Sequence, residues 1–497
     1  MRKTVSYIGL AVGTSSISLL IAGVYGLVVY RVEGDPWELE IATRLITFGS
    51  LYLVVGLLTS RIRTEPLKIS EGILLTVLVW ILVPALTALV LTNAMGIPFI
   101  DALFESAGGW STTGLTIMSG ENSSWNGVYV PSIDELPDTI KMWRSSMQWL
   151  GGLGIVIFTI ALLARPGVSA AVLYIAEGRY ERLEASLKRS AYRLGIIYVA
   201  LTGISIFLLY VSGMDLIDSI HHAMTGISTA GFSPHSNSIA YYLNNNKVLI
   251  ASLIVSFLGA MNFVDHHNIL TLRWSRLKES IELKAQLVIL VIVILLSIAL
   301  WINDPILRGA YTMKQAIYDA VSAYTTVGFQ SGDLGSASPS YKTLLLVFSA
   351  IGGTAFSTAG GIKILRIVIA AKVLSMEAEV FSRPHGYTPS RRMGKYILDE
   401  RLIRRTMATI TAFTFIYIIL LTVVVMLYPE TYKIEDLMFE VGSALFNIGL
   451  STGITSASAP ILIKVVLIVG MLMGRLEVLV FFIALKYVVN WVKRMAS

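Results

Sequence analysis

Long apolar blocks separated by short polar joints run through the whole chain. They lie near residues 5–30, 42–60, 70–92, 143–164, 192–211, 248–270, 284–302, 343–371, 404–428 and 461–490. Most approach the roughly 20 residues that a helix needs to cross about 30 Å of hydrocarbon. The pattern predicts ten spanning helices, which puts both termini on one side. The first run, beginning "MRKTVSYIGLAVG", continues to about Tyr30 and reads as a retained span, because a cleaved leader would be shorter.

Four later connections break the pattern in the same way. Each holds a weakly amphipathic segment followed by small residues: "FESAGGWSTTGLT", "IHHAMTGISTAGFS", "IYDAVSAYTTVGFQ" and "LFNIGLSTG". Aligning them on Gly114, Gly231, Gly328 and Gly449 brings other columns into register. Two residues earlier stand Thr112, Thr229, Thr326 and Asn447; one earlier stand Thr113, Ala230, Val327 and Ile448. Nine earlier stand Glu105, His222, Asp319 and Glu440, and thirteen earlier Asp101, Asp218, Gln315 and Asp436. This is an internal repeat with a spacing near a hundred residues. Each unit reads span, half-depth segment, turn, span, since a helix from Asp101 to Trp110 rises only about 15 Å. The Asp or Gln near its start suits a helix N-terminus, where free N–H groups seek an acceptor. Domain boundaries follow: two leading helices over 1–66, then repeats over 67–180, 181–280, 281–395 and 396–497.

Irregular backbone at membrane depth survives only where protein or a water-filled cavity satisfies its polar groups. Four copies around an axis supply such a cavity. Their carbonyls, aimed inward, replace the hydration shell of a cation, and the threonine hydroxyls add further oxygens. The third turn, Thr326 to Phe329, closely matches the first four positions of the potassium-channel filter TVGYG, with Phe329 in place of the tyrosine. The final glycine is missing from all four turns, which carry Thr116, Ser233, Gln330 and Ser451 there, so a shorter filter is expected.

Composition narrows the class. The chain of 497 residues is 55% hydrophobic and 14% charged, a balance that marks an integral membrane protein. The net charge of +7 resides in short joints after even-numbered spans: Arg61, Arg63 and Lys68; Arg179, Arg182, Lys188 and Arg189; Arg273, Arg276 and Lys278; and the run from Arg383 to Arg405. The connections between them are acidic or neutral, so the basic charges read as orientation signals and not as a nucleic-acid surface, and both termini are expected on the cytoplasmic side. With no cysteine, disulfides and thiolate metal sites are excluded. No Walker A, zincin or G-x-S-x-G pattern occurs, so no enzyme chemistry and no cofactor are expected.

Two features lie inside the later spans. "GGTAFSTAGG", Gly352 to Gly361, interrupts the block at 343–371 and reads as an unwound loop beneath the turns. Gly352, Gly353, Ser357, Thr358, Gly360 and Gly361 are its small members; Lys363, just after it, is either a pore charge or an interfacial lysine. Arg475 follows about 14 apolar residues of the last span, a costly depth unless water or a partner meets it. It reads either as a charge lining the pore or as half of an ion pair with another helix.

In "MQWLGGLGI", "STAGFSPH", "TTVGFQSGD", "FSTAGGIK" and "GRLE", in this order, the sequence resembles the Trk/Ktr/HKT superfamily of potassium transporters, and in particular the Trk-type membrane subunit. The resemblance implies an all-α membrane fold in which two leading helices precede four span, pore-helix, filter-turn and span repeats around one pore. It implies K⁺ as the transported ion, a filter at the residues aligned above, a gate at the interrupted span, and Arg475 as a barrier to permeating cations. It further implies a homodimer in the cell membrane with a cytosolic ring of nucleotide-binding regulatory subunits. Glycine at all four filter positions leans toward K⁺ over Na⁺. Ala355 and Phe356 depart from the usual small-residue loop, where a bulky ring would narrow the pore or stiffen the loop. The alternative is a secondary transporter coupling K⁺ to Na⁺ or H⁺ at a broken helix near the midplane.

Overall fold

The computed structural model describes residues 2–62, 69–154, 187–384, 387–393, 396–428 and 432–496. It is nearly all helix, the exceptions among these residues being two short antiparallel hairpins: β1 (Glu121–Asn122) with β2 (Tyr129–Val130), and β3 (Arg392–Met393) with β4 (Tyr396–Ile397). Among the described residues, six helices are each long and apolar enough to cross a membrane. They include α1 (Arg2–Glu33), α2 (Pro36–Ser60) and α3 (Ile69–Met95). Glycine lets α1 and α2 approach closely, since a Cβ on Gly13 would meet the Gly56 backbone. Buried Glu38 of α2 accepts from the Thr139 backbone N–H at 3.2 Å, so the leading pair is tied to the first repeat.

Half-length helices follow as the turns predict. α4 (Phe99–Trp110) precedes the first turn and α5 (Asp138–Leu153) follows it. The second repeat contributes α6 (Leu187–Val211), α7 (Leu216–Ile227), α8 (Asn246–Ala260) and α9 (Phe263–Leu270), with a short α10 (Trp274–Lys278) after it. The third has α11 (Ile281–Asn303), a short α12 (Pro305–Ala310), α13 (Met313–Tyr324), α14 (Pro339–Ile351) and α15 (Ile364–Phe381). The fourth has α16 (Glu400–Leu427), α17 (Ile434–Leu445), α18 (Ile461–Arg475) and α19 (Val478–Ala496). The pre-turn helices α4, α7, α13 and α17 have 12 residues each, about 18 Å of rise, and are buried through their second halves, the ends that lead into the turns.

The expected continuous spans at 248–270 and 461–490 are corrected. The chain bends by 107° between α8 and α9 and by 100° between α18 and α19. At the first bend Met261 is extended and the Asn262 side chain caps α9 by accepting from the Val264 N–H at 2.8 Å. At the second, Glu477 takes φ +62° and both of its oxygens accept from Arg366 at 2.7 Å. No glycine cluster or proline marks either bend, so hydrophobicity alone runs straight through them. The third repeat breaks as expected, between Ile351 and Ile364. In the first repeat α5 stops at Gly154, φ +92°; the rest of the predicted span to 164, and the basic positions Arg63, Lys68, Arg179 and Arg182, lie outside the described residues.

Candidate functional site

The four turns close a ring in chain order. A Cβ on Gly114 would overlap the Ala230 carbonyl oxygen, one on Gly231 that of Val327, one on Gly328 that of Ile448, and one on Gly449 that of Thr113. Each glycine therefore abuts the peptide oxygen just ahead of the next repeat's glycine, and a side chain there would collide with backbone. All four glycines have positive φ, from +76° to +92°.

A second column is left-handed too, which sequence reasoning missed. Thr112, Thr229, Thr326 and Asn447 have φ between +50° and +56°. β-Branched residues adopt this only when their surroundings over-determine it. The only signal in the sequence was Asn447, since asparagine tolerates this conformation best. The determinant is the hydrogen bonding behind each turn. The N–H groups of Thr113, Ala230, Val327 and Ile448 donate to the carbonyls of Gly108, Thr225, Ser322 and Ser443, at 2.9–3.1 Å, in the last turn of the pre-turn helix. With their N–H groups consumed there, the turns present carbonyl oxygens on the opposite face. One of these, that of Ala230, also accepts from Gln148 Nε2 at 2.8 Å, and Gln148 Oε1 accepts from the Phe232 N–H at 3.0 Å.

The column nine residues before the glycine anchors the far side of each turn. Glu105 accepts from the Thr116 hydroxyl at 2.8 Å and from Arg144 Nε at 2.7 Å; His222 Nε2 lies 3.2 Å from the Ser233 hydroxyl. Asp319 accepts from the Ser331 N–H and hydroxyl, each at 2.7 Å, and Glu440 from the Ser451 hydroxyl at 2.8 Å. These bonds fold the chain back where a longer filter would continue.

The column at the start of the pre-turn helices behaves differently from the capping role expected of it. Only Gln315 binds its own helix start, accepting from the Thr312 N–H at 3.0 Å. Asp101 is ion-paired with Lys464 of α18, both buried, and Asp436 with Lys342 of α14 at 2.6 Å. Asp218 accepts from His235 Nε2 at 2.6 Å. Lys464 and Lys342 each occupy the fourth position of a post-turn helix, so each pair clasps one repeat to the next around the ring.

Directly beneath the ring lies the loop from Gly352 to Lys363. The Gly360 N–H donates to the Thr326 hydroxyl at 2.7 Å, the Thr358 and Thr229 hydroxyls are 3.2 Å apart, and the Gly361 N–H donates to the Phe446 carbonyl at 3.0 Å. Gly352 and Gly353 pack against the loop's other limb at Gly360 and Ala359, and Ser357 donates to the Thr354 carbonyl at 2.8 Å. Lys363, at φ +84°, turns its Nζ onto the Ala359 carbonyl within the loop. The Phe356 ring is buried edge-on against Phe263 at 5.9 Å and braces the loop from behind.

Arg475 ends α18 at the same level. Its Nη1 donates to the Thr112 hydroxyl and the Thr358 carbonyl, each at 3.0 Å, and its Nη2 to the carbonyls of Gly151 and Gly152. It spans ring, loop and the end of α5. Two residues on, Glu477 is ion-paired with Arg366. The cavity left between Arg475, Asn447, Ser357 and Lys363 is about 40 Å³, room for only a few waters.

Four quasi-equivalent turns, each on a half-length helix and closing one ring inside a bundle of apolar spans, define a multi-pass membrane protein of the cation-pathway class. The chain belongs to the TrkH family of cation transport proteins, whose family model matches residues 43–489. It is 31% identical over 436 residues to an uncharacterized cation transporter of Methanocaldococcus jannaschii, covering 87% of this chain and 85% of that one. It is 28% identical over 493 residues to the Trk system potassium uptake protein TrkH of Escherichia coli, covering 96% of each. The crystal structure of the potassium transporter TrkH from Vibrio parahaemolyticus superposes with a TM-score of 0.79 at 24% identity, covering 97% of this chain and 98% of that one.

Proposed function

We propose that this chain is the pore-forming membrane subunit of a potassium uptake system. K⁺ sheds water at the ring formed by Thr112, Thr113, Gly114, Thr229, Ala230, Gly231, Thr326, Val327, Gly328, Asn447, Ile448 and Gly449, and is coordinated there by peptide oxygens. The observation that carries this reading is the cyclic contact of each glycine with the preceding-residue carbonyl of the next repeat. The potassium-uptake relatives in Escherichia coli support K⁺ as the ion. The loop from Gly352 to Lys363 acts as the gate, with Arg475 as a fixed positive charge that repels cations at the exit. The coupled-transporter alternative is not favoured, because post-turn breaks recur beneath a single ring instead of as a pair flanking a midplane site.

In this reading both termini and the basic joints face the cytosol. The exposed arginines at 383, 391, 392, 401 and 404 form the contact for a nucleotide-binding regulatory ring, and two chains associate, each with its own pore. Ion flux into proteoliposomes with K⁺, Rb⁺, Na⁺ and Li⁺ tests the core of it. K⁺ and Rb⁺ are expected to exceed Na⁺ and Li⁺. Uptake of K⁺ that requires the gradient of a second ion at fixed membrane potential would instead establish coupled transport.

A further inference from the structure

The gate loop is also held by the end of α8 and the bend that follows it. The Thr354 N–H donates to the Ala260 carbonyl at 3.1 Å, the Thr358 hydroxyl lies 2.9 Å from the Gly259 carbonyl, and the Phe263 N–H donates to the Phe356 carbonyl at 2.8 Å. The third-repeat loop is thus docked on the bend of the second repeat. Glu282, in the first turn of α11, closes the joint. One carboxylate oxygen accepts from the Ala355 N–H of the loop and the other from Asn262 Nδ2 at the bend, each at 2.7 Å. Glu282 is buried, and these two hydrogen bonds go to the bend and the loop, not to the ring.

Below this joint opens a cavity of about 570 Å³, lined by Asn262, Asp265, Arg276, Glu282, Leu365 and Leu398 among others. It lies among the joints that carry the basic residues. Glu282 and Asn262 are therefore the two loop-holding groups that can be reached from that side without passing the ring.

We propose that Glu282 is a positioning residue that latches the gate loop shut, and that releasing it from Asn262 and Ala355 opens the pathway. The chemistry demands a carboxylate. Two donors face it, and only an ionised carboxyl offers an acceptor to each. An amide carries one acceptor and one donor, so Glu282→Gln must lose one of the two bonds, and the survivor is no longer charge-assisted. Asn262→Asp removes the donor on the other side and sets two carboxylates together, while keeping an oxygen to cap the Val264 N–H.

This inference rests on the loop being the gate, and the experiment separates the two. The full-length chain is reconstituted as wild type, Glu282→Gln, Asn262→Asp, and a variant in which residues 355–359 are replaced by two glycines. Rb⁺ flux and the K⁺/Na⁺ preference are measured for each. Because the chain has no cysteine, Ser357→Cys in each full-loop background gives a single thiol, whose labelling by a small cationic thiol reagent reports loop position without reference to transport. Loss of a charge-assisted hydrogen bond should raise both flux and labelling about tenfold in Glu282→Gln and Asn262→Asp, with ion preference unchanged. Higher flux in the shortened loop, with flux and labelling unmoved in both latch variants, would overturn the latch and leave the gate standing. Flux unmoved by shortening the loop would overturn the gate, and the latch with it. If Glu282→Gln does not fold, Asn262→Asp decides by the same readings.

Discussion

Arg475 donates a hydrogen bond of 3.0 Å to the Thr358 carbonyl, joining the end of the last repeat's broken span to the loop of the third. The same guanidinium nitrogen reaches Thr112 in the ring, so one side chain reports on both. Arginine has five donors in a rigid fork and no acceptor, which suits a site built of carbonyls and a hydroxyl. Arg475→Ala removes the charge and the link together. K⁺ flux is expected to rise about tenfold, and Arg475→Lys, which keeps the charge but cannot span all its partners, to fall between. Flux assays in proteoliposomes at fixed potential check this.

Gly328 has its missing side chain aimed at the Ile448 carbonyl. A serine there must push that oxygen aside and accept an unfavourable φ near +81°. Gly328→Ser is expected to lower K⁺ flux and to erase the preference for K⁺ over Na⁺, whereas Gly309→Ser, where a Cβ meets nothing, should do neither. Competition of Na⁺ against Rb⁺ uptake measures the difference.

Thr326 accepts from the Gly360 N–H, and valine cannot. Thr326→Val leaves a partly buried N–H without its acceptor, a cost of about 1 kcal/mol borne by the closed loop. Rb⁺ flux should increase, while Thr326→Ser, which restores the oxygen, should return it toward wild type.

Lys464 and Asp101 are both buried, at 1% and 0% side-chain exposure. Lys464→Met strands a carboxylate and should cost about 3–5 kcal/mol. Asp101→Asn with Lys464→Met should recover most of that. Thermal unfolding of the detergent-solubilised protein gives the comparison, and recovery to near wild type would identify the pair as a clasp between repeats whose charge is not needed for conduction.

Much of this was legible in the chain. The columns aligned on Gly114, Gly231, Gly328 and Gly449 predicted half-length helices that end beside them, and those helices stop at Trp110, Ile227, Tyr324 and Leu445. "GGTAFSTAGG" foretold the break between Ile351 and Ile364, because its residues disfavour helix whatever surrounds them. The bends at Met261 and Glu477 left no such mark. Each is held by a contact between repeats, Asn262 with Glu282 at the first and Glu477 with Arg366 at the second.

The sequence by itself determined what is local: where apolar stretches are long enough to span, where the chain must turn back, and which glycines free the turns from side-chain constraint. Its fourfold repetition also determined that whatever one turn does, four do. Tertiary structure alone decided which groups meet: that each glycine abuts the next repeat's carbonyl, that Arg475 reaches Thr112 and Thr358 rather than Glu477, and that Asp101 finds Lys464 363 residues away. The physical reason is that helix and turn preferences are summed over neighbours in the chain. Hydrogen bonds and ion pairs at membrane depth are instead settled by whichever polar partner the packing of distant segments brings within about 3 Å.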